Sequence, residues 1–270
     1  MLNAKSLVGT HDVLFITLDT LRLDVAEEEL AAGRTPVLAS RIGAWERRHT
    51  PGSFTYAAHH AFFAGFLPTP PSPGPHPRLF ATAFPGSETT DERTAVFDAP
   101  SIVEGFAGAG YHTICIGGVG FFNLATPLGR VLPGLFRERH WREDLGVTDI
   151  ASTEHQVALA LERLDAQPAT TRVFLFLNVS ALHQPNRGYL GADADSKASH
   201  AAALRYVDGA LAPLFERFEA RAPTLCLLMS DHGTLYGEDG HVGHRYAHST
   251  VWDVPYAEVL LEGPRPSTPR

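Results

Sequence analysis

The chain is nearly without lysine: its 22 basic residues are arginines except for Lys5 and Lys197, and 30 acidic residues outnumber them to leave a net charge of −8. Without excess positive charge to neutralise phosphates, nucleic acid is excluded as a default partner. Arginine is simply the basic residue of this chain, so none is singled out by its type. Cysteine is scarce as well. Cys115 and Cys226 both lie in apolar runs, TICIGG and TLCLLMS, which predicts buried free thiols rather than a bridge and fits a reducing compartment. Long apolar runs are missing too. The N-terminal MLNAKSLVGTHD has no signal-peptide core, and the first apolar run, VLFITL at 13–18, is far below the ~20 residues that span a bilayer. The expectation is a cytoplasmic protein with no membrane partner.

What is present is the composition of a folded domain: 44% apolar and 19% charged residues over 270 positions, enough to bury a sizeable core. No internal repeat or composition shift divides the chain, so residues 1–270 read as one domain, with an irregular middle over 69–171 that carries no recognisable motif. The proline-rich PTPPSPGPHP at 68–77 reads as a stiff extended loop. Histidine is the anomaly. Of 14 in the chain, His232, His241, His244 and His248 fall between 232 and 248, where an even spread would put about one.

Four short apolar runs, 12–18, 111–117, 172–179 and 224–230, have the continuous apolarity of strands covered on both faces. Between them, 101–110, 152–167 and 199–221 have helical spacing. Alternation of this kind predicts an α/β fold with a mainly parallel sheet, in which ligands gather beyond the carboxyl ends of the strands. There the chain places Asp19, His183 and the pair Asp231-His232. Each has an ordinary alternative: Asp19 as a helix cap, His183 as a loop histidine before Pro185, Asp231 as a turn residue. Together, two carboxylates and an imidazole suit Zn(II) or Mn(II), and His244 and His248, returned to that edge by GEDGHVGH (237–244), could complete a first or a second site. Thr55 precedes an Ala-rich apolar helix in SFTYAAHHAFFAGFLP (53–68). It is either an N-cap or a nucleophile whose hydroxyl is acidified by the helix end and a cation. GGVG at 117–120 follows a strand but lacks the full dinucleotide fingerprint, so a plain turn is expected there.

Taken in order, DVLFITLDTLRLDVA (12–26), the Thr55 segment, LFLNVSALHQP (175–185) and SDHGTLYGEDGHVGH (230–244) resemble the alkaline phosphatase superfamily, specifically its sulfatase-like and phosphoethanolamine-transferase-like branch. The resemblance implies a three-layer α/β/α sandwich with metal at the sheet edge. It implies Asp19, Asp231 and His232 as metal ligands and Thr55 as nucleophile and ligand. By the same resemblance His183 matches the histidine facing the leaving group, His244 that of the glycine-rich element, and His59 a catalytic position next to the nucleophile. The sequence Thr55-Tyr56-Ala57-Ala58-His59 lacks the Cys or Ser that sulfatases convert to formylglycine. The resemblance therefore implies a metal-dependent hydrolase or transferase acting on a phosphate ester, phosphodiester or phosphonate of a small anionic metabolite. The alternatives are a sulfate-ester hydrolase without formylglycine and a metal-holding binding protein. One metal is implied; a second would have to lean on His183, His244 or His248.

Overall fold

The computed structural model describes residues 2–65 and 100–264; the proline-rich stretch 68–77 lies outside them. Among the described residues nine strands form, β1 Asp12–Leu18, β2 Glu46–His49, β3 His112–Ile116, β4 Glu138–His140, β5 Val173–Val179, β6 Thr224–Met229, β7 Leu235–Tyr236, β8 Val242–Gly243 and β9 Asp253–Leu261, with seven helices, α1 Leu23–Ala31, α2 Pro36–Ala39, α3 Thr55–Ala64, α4 Ile102–Gly108, α5 Ser152–Asp165, α6 Lys197–Arg221 and α7 Ser249–Trp252. Seven strands make one sheet in the order β2-β9-β6-β1-β5-β3-β4, and β7 and β8 form a small hairpin. The four expected strands are all present and run parallel to one another in the order β6-β1-β5-β3. The edge departs from the parallel pattern: β9 runs antiparallel to both β6 and β2. Within 100–171, α4, β3, β4 and α5 are regular, and short 3-10 turns fill much of 120–145.

Alternation along the buried strands sorts two cores. Leu14, Ile16 and Leu18 of β1 and Leu175, Leu177 and Val179 of β5 face an aliphatic layer closed by Val25 and Ala26 of α1, Val157 and Ala160 of α5, and Leu204, Leu211 and Phe218 of α6. Phe15, Phe174 and Phe176 point the other way, against Phe63 of α3, Val103 of α4 and Phe122 and Phe136. This is the two-sided burial that continuous apolarity in β1 and β5 predicts, and it gives the α/β/α sandwich. Cys115 and Cys226 are free and buried, as expected. Among the described residues no helix is long and apolar enough to cross a membrane.

At the amino end of β1, away from the site described below, Asp12 is buried. It accepts hydrogen bonds from the Val173 amide at 3.0 Å, the Arg221 guanidinium at 3.0 Å and Arg172 at 3.4 Å. Removing one member of a buried pair strands the other charge, at about 3–5 kcal/mol. Asp12→Ala is therefore expected to lower the unfolding free energy by about that amount in a denaturant titration; a loss below 1 kcal/mol would show that the pair is dispensable.

Candidate metal and nucleophile site

Because β5, β1 and β6 are adjacent in the sheet, their carboxyl ends bring Asn178, Asp19 and Asp231-His232 together. Asp19, Asp231 and His232 each offer a ligand atom within 4.8 Å of the others, and all three are fully buried. One oxygen of each carboxylate is held. Asp19 Oδ2 accepts from the Asn178 amide at 3.0 Å. Asp231 Oδ1 accepts from the backbone N–H of Thr20 at 3.1 Å and of His232 at 3.0 Å. The other oxygens, Asp19 Oδ1 and Asp231 Oδ2, are buried without a hydrogen-bond partner. Burial first, and then the neighbouring Asp231, pushes Asp19 above the usual carboxylate range, and burial raises Asp231 likewise. Two orphaned carboxylate oxygens in one buried cluster could hold a cation, since buried charge is retained only when paired or metal-coordinated.

The histidine completes it. His232 Nδ1–H donates to the Gly233 carbonyl at 2.9 Å, which leaves Nε2 on the site side, and burial lowers the pKa of the ring; a neutral ring with this tautomer is what a metal requires. Gly233 is obligatory in this turn, because a Cβ there would lie 1.9 Å from the Thr250 carbonyl oxygen. The donor set of two carboxylates and one imidazole therefore fits a divalent cation such as Zn(II) or Mn(II).

Thr55 is the first residue of α3, not its cap. The N-cap is Phe54, in extended conformation, with no side-chain cap bond. The Thr55 hydroxyl turns instead to the cluster, with Oγ1 3.3 Å from His232 Nε2 and 3.5 Å from Asp19 Oδ2. The capping alternative is thereby removed, and so is the one for Asp19, since α1 begins at Leu23 with Arg22 as its cap residue.

The remaining histidines separate. His183 is partly exposed, and its Nδ1–H donates to the Gln184 carbonyl at 2.6 Å. His244 packs on His232 with ring centroids 4.5 Å apart and stands 5.8 Å from His183. Burial, reinforced by those two rings, lowers the His244 pKa to about 3. His248 does not join them: its Nδ1 caps α7 by accepting from the Thr250 amide at 3.0 Å and its Nε2 lies 3.2 Å from Asp239 Oδ2, so both nitrogens are engaged away from the cluster. His59 stands behind the nucleophile rather than beside it. It is fully buried behind Thr55, its Nδ1–H donating to the Thr55 carbonyl at 2.7 Å and its Nε2 3.0 Å from the Thr17 hydroxyl, among the rings of Phe62, Phe122 and Phe176. Burial lowers its pKa to about 3. With its nitrogens so engaged the ring holds the first turn of α3, and its Nδ1 also lies 3.7 Å from Asp231 Oδ2.

Three supporting residues were not anticipated. Asn178 links Asp19 to Thr17, the Thr50 hydroxyl donates to the Asp231 carbonyl, and Asn186 pins the His183 turn through the Leu182 carbonyl and the Tyr236 hydroxyl. Asn178 carried a signal, an amide inside an apolar strand run; the other two carried none. The glycine run after β3 serves packing: a Cβ on Gly118 would fall 2.4 Å from the Asn178 carbonyl oxygen.

Comparison with known proteins bears on this arrangement. The Sulfatase family model matches residues 81–261, which includes most of the stretch in which no motif was placed. No curated protein matches the chain significantly in sequence. Among solved structures, the integral membrane lipooligosaccharide phosphoethanolamine transferase A (EptA) of Neisseria meningitidis superposes with a TM-score of 0.63 at 14% identity, covering 93% of this chain and 48% of that one. This chain thus spans about half of that protein. The lipoteichoic acid synthase LtaP of Listeria monocytogenes gives 0.64 at 14% identity, covering 98% and 68%. The C-terminal periplasmic domain of EcEptC of Escherichia coli, in complex with Zn, gives 0.60 at 13%, covering 94% and 73%. The likeness at these identities is one of fold, alkaline-phosphatase-like with a mostly parallel sheet between helical layers.

Proposed function

The chain belongs to the sulfatase family, and from that membership we propose that it is a metal-dependent enzyme of the alkaline phosphatase superfamily that hydrolyses or transfers an ester of phosphate, with Thr55 as nucleophile. The observation that carries the reading is the Thr55 hydroxyl, uncommitted to capping, 3.3 Å from His232 Nε2 beside two carboxylates with orphaned oxygens. The names of the structural neighbours, transferases of phosphoethanolamine and a lipoteichoic acid synthase, agree with phosphorus rather than sulfur as the centre attacked. So does threonine in place of the residue from which formylglycine is made.

Asp19, Asp231, His232 and the Thr55 hydroxyl are the residues that would hold the cation. A bound divalent ion supplies Lewis acidity, lowering the hydroxyl pKa of Thr55 and offsetting negative charge. The residues do the rest. Thr55 Oγ, its proton released to solvent, attacks phosphorus in line, forming an Oγ–P bond as the ester P–O bond breaks. The amides of the first turn of α3 face the same region, where the positive end of the helix favours an anion. With Nδ1–H held by Gln184, Nε2 of His183 is the atom that carries a proton and delivers it to the departing oxygen. Phospho-Thr55 is then resolved by water or by an acceptor hydroxyl, whose proton returns to His183.

Paired 4-nitrophenyl esters test the reading on Zn- or Mn-loaded protein. Turnover of the phosphate mono- or diester at least a hundredfold above the sulfate ester is expected. A preference for the sulfate, or no turnover of any phosphoester together with tight binding of one, would replace it with sulfuryl chemistry or with a binding role.

A further inference from the structure

Beyond the cluster, next to His244, stands a cation with no anionic partner among the described residues. Arg245 is exposed, directly follows His244, and makes no ion pair or side-chain hydrogen bond with a described residue. It is nevertheless held in place. Its backbone N–H donates to the Ser53 carbonyl at 2.9 Å, which ties it to the turn entering α3. Its guanidinium carbon lies 5.0 Å from the ring centroid of Phe54, the residue before Thr55, and Phe54 in turn leans on Phe121 with centroids 6.1 Å apart. Its backbone has φ +73°, a left-handed conformation that is unfavourable for a non-glycine residue. The positive charge also reaches inward, contributing to the lowered pKa of both His232 and His244. In a chain with net charge −8, where the arginines around the fold, such as Arg22, Arg34, Arg41 and Arg221, are matched to carboxylates, a guanidinium with no carboxylate partner among the described residues, next to His244 in the chain and seated on the residue before Thr55, is placed for a ligand.

Resting on the reading that Thr55 and the carboxylate cluster receive a phosphoryl group, we propose that Arg245, seated on Phe54, binds a second anionic group of the substrate, a carboxylate or a further phosphate displaced from the phosphorus under attack. The charge count supports this division. Asp19, Asp231 and one divalent cation would sum to neutrality, so the cluster has no surplus positive charge to offer a further anion, and a substrate with an additional anion needs a separate cation. A guanidinium is suited to it, since its fork of donors accepts a carboxylate or phosphate edge in two parallel hydrogen bonds, while the aromatic face fixes the plane of the fork without consuming its donors.

Binding of two phosphonates whose C–P bonds resist turnover separates this role from the chemistry. For metal-loaded protein, calorimetry is expected to show 3-phosphonopropionate binding roughly tenfold more tightly than propylphosphonate, the scale of one charge-assisted contact at an exposed site. In Arg245→Ala the ratio of the two dissociation constants is expected to fall to near one, and in Arg245→Lys, which keeps the charge but loses the fork, to an intermediate value. A ratio near one in the unmodified protein, or the same ratio in Arg245→Ala, would overturn the proposal; the latter outcome would place any effect of Arg245 on the phosphoryl group itself. The measurement requires no turnover, so a protein inert toward phosphoesters yet showing the Arg245-dependent ratio would refute the nucleophile reading and leave this inference standing.

Discussion

Thr55→Ala is expected to lower kcat/KM for a phosphoester by about 10⁴-fold or more, the order seen when a nucleophile that acts as part of a unit is removed. The fold should tolerate the change. Thr55 sits on the first turn of α3 without capping it, and its hydroxyl makes only approaches of 3.3 and 3.5 Å to His232 and Asp19. Alanine is also the best helix former. Stability should therefore move by less than about 1 kcal/mol, and the metal-induced rise in Tm should be reduced but present, since three ligands remain. Thr55→Ser, which retains an oxygen, should keep measurable turnover and a phosphorylated residue 55 detectable by mass spectrometry on acid quench. An alanine variant that loads with metal and retains more than about a tenth of the original kcat/KM would exclude Thr55 as the nucleophile.

Asp231→Asn is expected to have two effects of opposite sign. Its Oδ1 acceptor for the Thr20 and His232 amides is retained, while the orphaned Oδ2 becomes an N–H₂ facing the Asp19 carboxylate. Cation binding should weaken by more than the 10- to 100-fold typical of losing an outer-shell partner, and activity with it. The metal-free protein, by contrast, should become more stable at pH 8. In the unmodified chain burial holds Asp231 at about 7 and Asp19 at about 6, both above their unfolded values. The folded state therefore retains these protons longer than the unfolded chain. The stability they contribute is full below pH ~4 and is lost as the pH rises through 6 to 7, at about 1.4 kcal/mol per unit of difference, so on the order of a few kcal/mol by pH 8. Metal replaces those protons. The Tm increase on adding Zn to the unmodified protein should accordingly grow from pH 5 to pH 8, and in Asp231→Asn it should be small throughout. A metal-free Asp231→Asn that is less stable than the unmodified metal-free protein at pH 8 would mean that the two carboxylates do not repel one another as described.

Much of the architecture was legible because buried parallel strands have little freedom of composition. DVLFITL and VFLFLNV are apolar on both faces, and β1 and β5 occupy almost the segments expected from that pattern. The edge was not legible, for the complementary reason. β2, with sequence ERRH, is exposed throughout, and β9 contains Pro255 and Glu258 in a half-buried antiparallel strand, so neither shows the apolarity or strict alternation by which a strand is recognised. The site divides in the same way. Asp19, Asp231 and His232 stood out as metal-type side chains after strands, whereas Thr50, Asn186 and Arg245 acquire a role only through partners far along the chain.

Residue type and position along the chain determined that hard oxygen and imidazole donors would leave the carboxyl ends of the strands, that no cysteine would compete for the cation, and that a hydroxyl would stand at the start of an apolar helix. Only the tertiary structure decided what these do. The adjacency of β5, β1 and β6 closes Asp19, Asp231 and His232 to ligand distance and buries a carboxylate oxygen of each aspartate without a partner. Extended Phe54 takes the cap position and turns Thr55 inward. The turn after β8 carries His244 onto His232 while α7 withholds His248 as its own cap. Ligand character is local chemistry and can be read from residue type; charge frustration, orientation and access arise from which segments are packed together, and that is set by the sheet order.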